Sequence, residues 1–316
     1  MRLRLLQLTD VIFGGKTLFI SDGWNDFELL RAGDGMKLER WGDIILERPD
    51  PQAVWPKLGV WEKSHALYNR SKTGGGSWSR LKPMPASWNI AYDSLGKTLK
   101  FIIEPTSFKH TGLFPEQASN WDFCGNLIEK AKASGKKDIK ILNLFAYTGG
   151  ATIACAAHGA DEVVHVDASK GMIARAKENA SLSGLNDSYI RFIAEDCMKF
   201  VEREIRRGRK YDGIIMDPPA YGRGPSGELW KLEDALYDLT LKCEELLSDD
   251  ALFFIISSYT AGITAQASGD VLSLCVGQKH GGSIKAEELC LPITRMGIYL
   301  PCGSTARWSS GKYDER

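Results

Sequence analysis

The feature that most constrains this chain is a regular alternation of helix-like and strand-like segments that begins near residue 118. Helical patterns at 118–132, 151–158, 169–183, 198–207, 229–247 and 265–278 are interleaved with short apolar runs at 139–143, 162–166, 189–194, 213–216 and 251–257. Two further strand-like runs, 284–289 and 296–300, lie near the end. Alternating β and α elements call for right-handed crossovers, and hence for a parallel sheet covered by helices on both faces. The last two runs have no long helix between them, which predicts one antiparallel strand. The expected class is α/β, a Rossmann-like sheet of seven strands.

Upstream the composition changes character. Seven of the nine tryptophans lie at or before Trp121. Short candidate strands there (Arg2–Gln7, Thr17–Ser21, Phe27–Ala32, Asp43–Glu47, Leu99–Glu104) are separated by Gly, Pro and Asp turns, the pattern of a small, mostly β domain. The expected division is 1–117 for that domain, as a possible RNA- or substrate-binding unit, and 118–316 for the larger one. A length of 316 residues agrees with two domains of roughly 150 each. Forty basic and forty acidic residues cancel, and 43% hydrophobic with 25% charged residues excludes disorder, collagen and coiled coil. The apolar stretches Val11–Ile20 and Ala251–Ser257 are far shorter than the roughly 18 residues of a membrane helix. No signal-peptide cleavage pattern follows Met1, so a cytoplasmic protein is expected, without membrane contact. The seven cysteines form no CxxC pair and the five histidines are dispersed, so neither a disulfide framework nor a metal site is expected.

In an open α/β sheet the ligand binds beyond the carboxyl ends of the strands, so the residues that follow each strand carry the functional information. Asn143-Leu144-Phe145-Ala146-Tyr147-Thr148-Gly149-Gly150 is a tight turn into a helix, suited to an anionic group. It lacks the G-x-G-x-x-G of a dinucleotide site. The next strand ends in Asp167-Ala168-Ser169, with Ser169 placed to cap the following helix and Asp167 left for a ribose diol. After the third strand, Asp196-Cys197 offers either an adenine acceptor or a simple cap. The fourth ends in Asp217-Pro218-Pro219-Ala220-Tyr221. Paired prolines there hold a rigid extended loop beside a carboxylate and an aromatic that could stack on a base.

In order and spacing these four motifs, Leu142–Gly150, Val166–Ser169, Ala194–Cys197 and Met216–Gly224, resemble class I S-adenosylmethionine-dependent methyltransferases. Within these the likeness is to the group that modifies large-subunit ribosomal RNA at cytosine C5 or guanine N7. The resemblance covers residues 99–300 and includes Phe108–Gln117, which in that group lines the cofactor site. It implies S-adenosyl-L-methionine as cofactor, held by Thr111, Phe114, Gln117, Asn143, Phe145, Ala146, Thr148, Gly149, Asp167, Ala168, Ser169, Asp196, Cys197 and Asp217. Asp217, Pro218, Pro219 and Tyr221 are the implied catalytic set. One departure bears on chemistry. Cytosine-C5 enzymes need a cysteine nucleophile, which in that group follows the fifth strand, and this chain reads Ser257-Ser258-Tyr259 there. C5 chemistry is therefore not expected unless another thiol, such as Cys197 or Cys243, reaches the site.

The implied partner is RNA, in particular large-subunit ribosomal RNA. The stretch 63–92 carries Lys63, Arg70, Lys72, Arg80 and Lys82 with no acidic residue, together with Tyr68, Trp78, Trp88 and Gly74–Gly76. Such cations neutralise phosphates and such rings stack on bases, but the aromatics could equally belong to the domain's core. A second basic cluster, Arg203, Arg206, Arg207, Arg209 and Lys210, closes a helix, where cations favour the dipole without any partner. His110 is the histidine placed for a functional role. Alternatives are a methyltransferase for small molecules or proteins, a cofactor-holding RNA-binding module without turnover, and a nicotinamide oxidoreductase.

Overall fold

A computed structural model describes residues 18–71, 75–106, 109–223 and 229–313. The strand expected at Arg2–Gln7, together with Lys72, Gly74 and Phe108, lies outside the described residues. The first part of the chain runs β1 (Phe19–Ile20), β2 (Phe27–Gly33), β3 (Met36–Trp41), β4 (Ile44–Pro49), β5 (Ala66–Arg70), β6 (Gly76–Arg80), β7 (Trp88–Ser94) and β8 (Lys97–Ile103). The alternating part begins with α1 (Ala118–Ala133), β9 (Lys140–Leu144), α2 (Gly150–Ala157), β10 (Glu162–Asp167), α3 (Lys170–Leu182), β11 (Ile190–Ala194) and α4 (Cys197–Arg206). It continues with β12 (Gly213–Met216), β13 (Tyr221–Arg223), β14 (Leu229–Lys231), α5 (Leu232–Glu244), β15 (Phe253–Ser258), α6 (Ala265–Leu272), β16 (Ser283–Ile293) and β17 (Ile298–Ser309).

The strands of the alternating part pair in the order β11-β10-β9-β12-β15-β17-β16. The first five are mutually parallel, and β17 is antiparallel to both β15 and β16. This is the expected Rossmann-like seven-stranded sheet with one reversed strand. Every residue of β12 and β15 is buried, as strands covered by helices on both faces require. Ser169 caps α3 through Met172 N, as its position implied. The order changes direction between β9 and β12, and the crevice at that switch point lies beyond Leu144 and Met216.

The N-terminal strands extend the same sheet, because β2 pairs with β16 and is followed by β3, β4, β5 and β6 in turn. One apolar core crosses the change in architecture. Trp121 of α1 meets Trp24, Tyr92 and Phe101 at ring-centroid distances of 6.0, 5.8 and 5.3 Å. β3, β5, β6 and β7 were not legible as strands. β3 carries Lys37, Glu39 and Arg40, charges that read as solvent-facing until their partners are known.

Two helical expectations need correction. The segment expected as helix 229–247 starts as a strand, because Leu229–Lys231 pairs with Tyr221–Arg223 and the helix begins only at Leu232. The one expected at 265–278 keeps α-geometry to Leu272 and then widens into a π-turn at Ser273–Gly277. Among the described residues no helix is long and apolar enough to cross a membrane.

Candidate active site

The strand ends open onto one cavity of about 940 Å³. Phe145 and Tyr147 reach it from the β9 turn, Asp167 and Ala168 from β10, Asp196 and Cys197 from β11, Asp217, Pro218 and Pro219 from β12, and Tyr259 from β15. The volume lies near the upper end of the ~300–1,000 Å³ typical of small-molecule sites, so a cofactor can share it with a second flat group.

The β9 turn is conformationally costly. Phe145 (φ 55°) and Tyr147 (φ 50°) both lie in the left-handed region, which costs a non-glycine residue roughly 1–2 kcal/mol. Such strain persists where the surroundings enforce it. Here the Ala146 amide is tied to Val166 O (3.0 Å) and the Tyr147 amide to the Asp167 carboxylate (2.9 Å). The result turns both aromatic side chains into the cavity. Gly149 (φ 91°) starts α2, and a Cβ there would stand 3.1 Å from Ala176 Cβ.

Asp167 also accepts from Ser169 N (2.8 Å). Burial pushes its carboxyl up, and these two amides oppose that. Each oxygen keeps a lone pair free of the amides, an acceptor set that suits the two hydroxyls of a vicinal diol. Asp196 caps α4 through Lys199 N (3.0 Å) and still lines the cavity, so its two readings coexist.

Of the other residues implied by the resemblance, Phe114 lines the cavity, and Asn143, Thr148, Ala146, Gly149, Thr111 and Gln117 lie behind its wall. Asn143 donates to the Thr152 hydroxyl (2.9 Å) and Thr148 to Gly112 O (2.6 Å). Ala146 and Gly149 shape the turn. Thr111 is fully buried, and its hydroxyl has no partner among the described residues. Gln117 donates to Tyr259 Oη (2.9 Å) and accepts from Asn120 (2.7 Å), which places the tyrosine. Phe114 lines the cavity, its ring 5.4 Å from Tyr147 and 5.5 Å from Tyr259.

At the fourth strand end, burial first and the charge of Glu116 second push the Asp217 carboxyl up to about 7. The loop is clamped by Trp230, whose Nε1 donates to Pro219 O (2.7 Å) and whose ring lies 5.9 Å from Phe145. Tyr221, expected as the stacking aromatic, is 58% exposed and does not line the cavity. It pairs with Lys231 in the β13–β14 hairpin, while Trp230, opposite Gly222, takes the position over the site. Reading 229–247 as one helix hid that tryptophan.

Sequence reasoning also missed a wall supplied by the N-terminal strands. Lys37, Arg48 and Asp50 line the cavity. Buried Glu39 receives Arg48 through Nε (2.5 Å) and Nη2 (3.0 Å), and Lys37 Nζ lies 3.3 Å from Glu39 and 3.0 Å from Asp50. Although burial alone would raise it, Arg48 and Lys37 hold the Glu39 carboxyl down at about 2. His110 lines the same wall against Phe114 (5.4 Å). Burial and the charges of Arg48, Lys109 and Lys37 lower it to about 4, so it is neutral at pH 7.

Two thiols border the cavity, Cys197 and Cys302, the latter unanticipated. Burial pushes Cys197 up to about 12, and burial together with Glu116 raises Cys302 as well. Both are held as thiols. Cys243 is buried in the core, away from the cavity. In the Ser257-Ser258-Tyr259 stretch, which holds no cysteine, both serines are buried, and Ser257 lies within hydrogen-bonding distance of Asn120 (3.3 Å) and Thr305 (3.4 Å).

The basic residues separate as well. Tyr68 is buried against Trp78 (5.3 Å), Trp78 Nε1 donates to Thr106 O (2.8 Å) and Trp88 Nε1 to Trp41 O (2.9 Å), so these rings belong to the core. In the helix-end cluster Arg203, Arg207 and Arg209 are paired with Glu195, Glu204 and Glu162.

A switch-point cavity with a carboxylate after β10 and an Asp-Pro-Pro loop after β12 defines the class: an α/β enzyme site for a nucleoside cofactor. The model of the S-adenosylmethionine-dependent methyltransferase family matches residues 72–251, and the chain belongs to that family. It is similar in structure to the SAM-dependent methyltransferase from Agrobacterium tumefaciens, with a TM-score of 0.85 and 35% identity over 94% of each chain. In sequence it is similar to ribosomal RNA large subunit methyltransferase I of Aeromonas hydrophila (29% identity, covering 56% of this chain and 38% of that protein). It also matches ribosomal RNA large subunit methyltransferase K/L of Shewanella frigidimarina (37% identity, 39% of this chain and 16% of that protein). The chain thus spans less than half the length of these two relatives.

Proposed function

We propose that this protein methylates a nitrogen of an RNA base, within large-subunit ribosomal RNA, by direct transfer and without a covalent enzyme adduct. The observation that carries this reading is the cavity itself: Asp217, Pro218 and Trp230 border a space large enough for a flat base beside the cofactor, and neither bordering thiol is a thiolate. S-adenosylmethionine fits the residues present. Asp167 would hold its ribose, Asp196 with Cys197 its adenine, and Phe145 its methionine end; it supplies an electrophilic methyl group on a sulfonium.

The rest is done by the chain. Asp217 accepts a hydrogen bond from an N–H of the target and takes the proton that the nitrogen releases as it gains the methyl group. The proline pair fixes the carbonyls beside it, and Trp230 and Phe145 exclude water from the transfer. The target must leave its stack to enter. Residues 1–117 would act as the substrate-binding unit and 118–316 as the cofactor-binding one. The names of the ribosomal RNA methyltransferase relatives support the choice of RNA.

Incubation with methyl-labelled cofactor and ribosomal RNA from cells lacking the protein is expected to label one nucleotide, mapped by mass spectrometry. At saturating cofactor, Cys302→Ser and Cys197→Ser are expected to keep the rate within about threefold, since no thiolate attacks the ring. Label that appears only on a small molecule or protein would refute the RNA substrate. A trapped enzyme–RNA adduct, or a hundredfold loss in either serine variant with its fold intact, would refute direct transfer.

A further inference from the structure

Among the cations on the cavity wall, Lys37 and Arg48 are neutralised by Glu39 and Asp50. Lys109 is different. Like Lys199 of α4 it borders the cavity, and among the described residues its ammonium has neither an ion pair nor a hydrogen bond. It sits on a turn closed by Glu104 N to Thr111 O (3.0 Å) and Thr106 N to His110 O (3.3 Å). That turn is docked on β6 through the Trp78 hydrogen bond to Thr106 O. The β5–β6 hairpin therefore lies directly against the loop that carries Lys109. At its end Arg70, registered opposite Gly76, is exposed and has no acidic partner among the described residues.

We infer that Lys109 and Arg70 form a phosphate subsite at the cavity mouth, which holds the RNA backbone next to the base inserted toward Asp217. This rests on the proposal that the substrate is RNA. Burial lowers the lysine's affinity for its proton, and Lys37, Arg48 and Arg70 lower it further against the opposing field of Asp50, which Lys37 already engages. A lysine in such surroundings gains from an incoming anion. The pair extends from the cavity rim to open surface, as a polynucleotide backbone does and as the carboxylate of a cofactor enclosed in the cavity does not. The base would be read inside and the strand positioned outside.

The test measures binding of a single-stranded uridine dodecamer over a salt series, and of S-adenosylhomocysteine separately, for the parent protein, Lys109→Gln, Arg70→Gln and Lys109→Arg. Each glutamine variant is expected to flatten the slope of log K against log salt by about 0.7, the increment for one single-strand phosphate, and Lys109→Arg to restore it. S-adenosylhomocysteine affinity is expected to stay within twofold of the parent throughout. Unchanged slopes in both glutamine variants, with the parent binding RNA, would overturn the subsite and leave the RNA reading standing. A loss of S-adenosylhomocysteine affinity in Lys109→Gln would assign that lysine to the cofactor and overturn the subsite too. A parent that binds no RNA at low salt would remove the functional reading and the subsite with it.

Discussion

Replacing Asp217 with asparagine is expected to slow methyl transfer by about 10²- to 10⁴-fold while leaving S-adenosylhomocysteine affinity within a few-fold of the parent. Asparagine keeps the shape of the loop and an acceptor oxygen but cannot take up a proton. The loss should therefore fall on the rate of transfer rather than on cofactor binding. The parent's pH profile carries the same information. With the Asp217 carboxyl at about 7, the rate measured below cofactor saturation should climb as pH rises through that value and level off above it, because only the carboxylate accepts the proton. At saturation the sulfonium's positive charge favours the carboxylate, and the limb should move to lower pH. Removing the negative charge of Glu116 with Glu116→Gln should move the limb down as well, since that charge is the second cause of the elevation. Full activity of Asp217→Asn, or a flat profile between pH 5 and 9 in the parent, would show that the proton goes elsewhere.

The largest expected effect on stability comes from Glu39, far from any motif. Glu39→Ala removes the ion pair of Arg48 inside a buried wall, leaving Asp50 paired to Lys37 and only the fields of Glu116 and Asp50 acting on Arg48. Breaking a buried ion pair from one side typically costs ~3–5 kcal/mol, because the surviving charge remains desolvated. Urea unfolding would measure it, and a loss below 1 kcal/mol would mean that water or a rearranged partner compensates. The pH dependence has a definite sign. A carboxyl held at about 2 against its usual 4.5 contributes stability that is complete above 4.5 and is lost as pH falls through the lower value. The parent should therefore lose stability across that acid window more steeply than Glu39→Ala does. The same substitution should disturb the cavity, since Lys37 and Arg48 form part of its wall.

Much of the architecture was readable in one dimension because the period of a buried strand or an amphipathic helix is written locally. The all-apolar runs of β12 and β15, the turn after β9 and the carboxylates after β10 and β12 each announce themselves within a few residues. Asp167, Phe145 and Asp217 could therefore be placed on one edge of a sheet before any coordinates were known. What tertiary structure alone decided is which distant groups face them. Glu39 looks like a solvated strand residue until Arg48 and Lys37 are seen beside it. Trp230 looks helical until it pairs back across Gly222, and Tyr221 looks like a stacking ring until that same register turns it to solvent. Among the described residues Lys109 differs from Lys37 and Arg48 of the same wall in having no ion pair. Local sequence encodes backbone periodicity, whereas burial, pairing and the proton affinity of a side chain depend on segments brought together from tens to hundreds of residues away, and those relations exist only once the chain has folded.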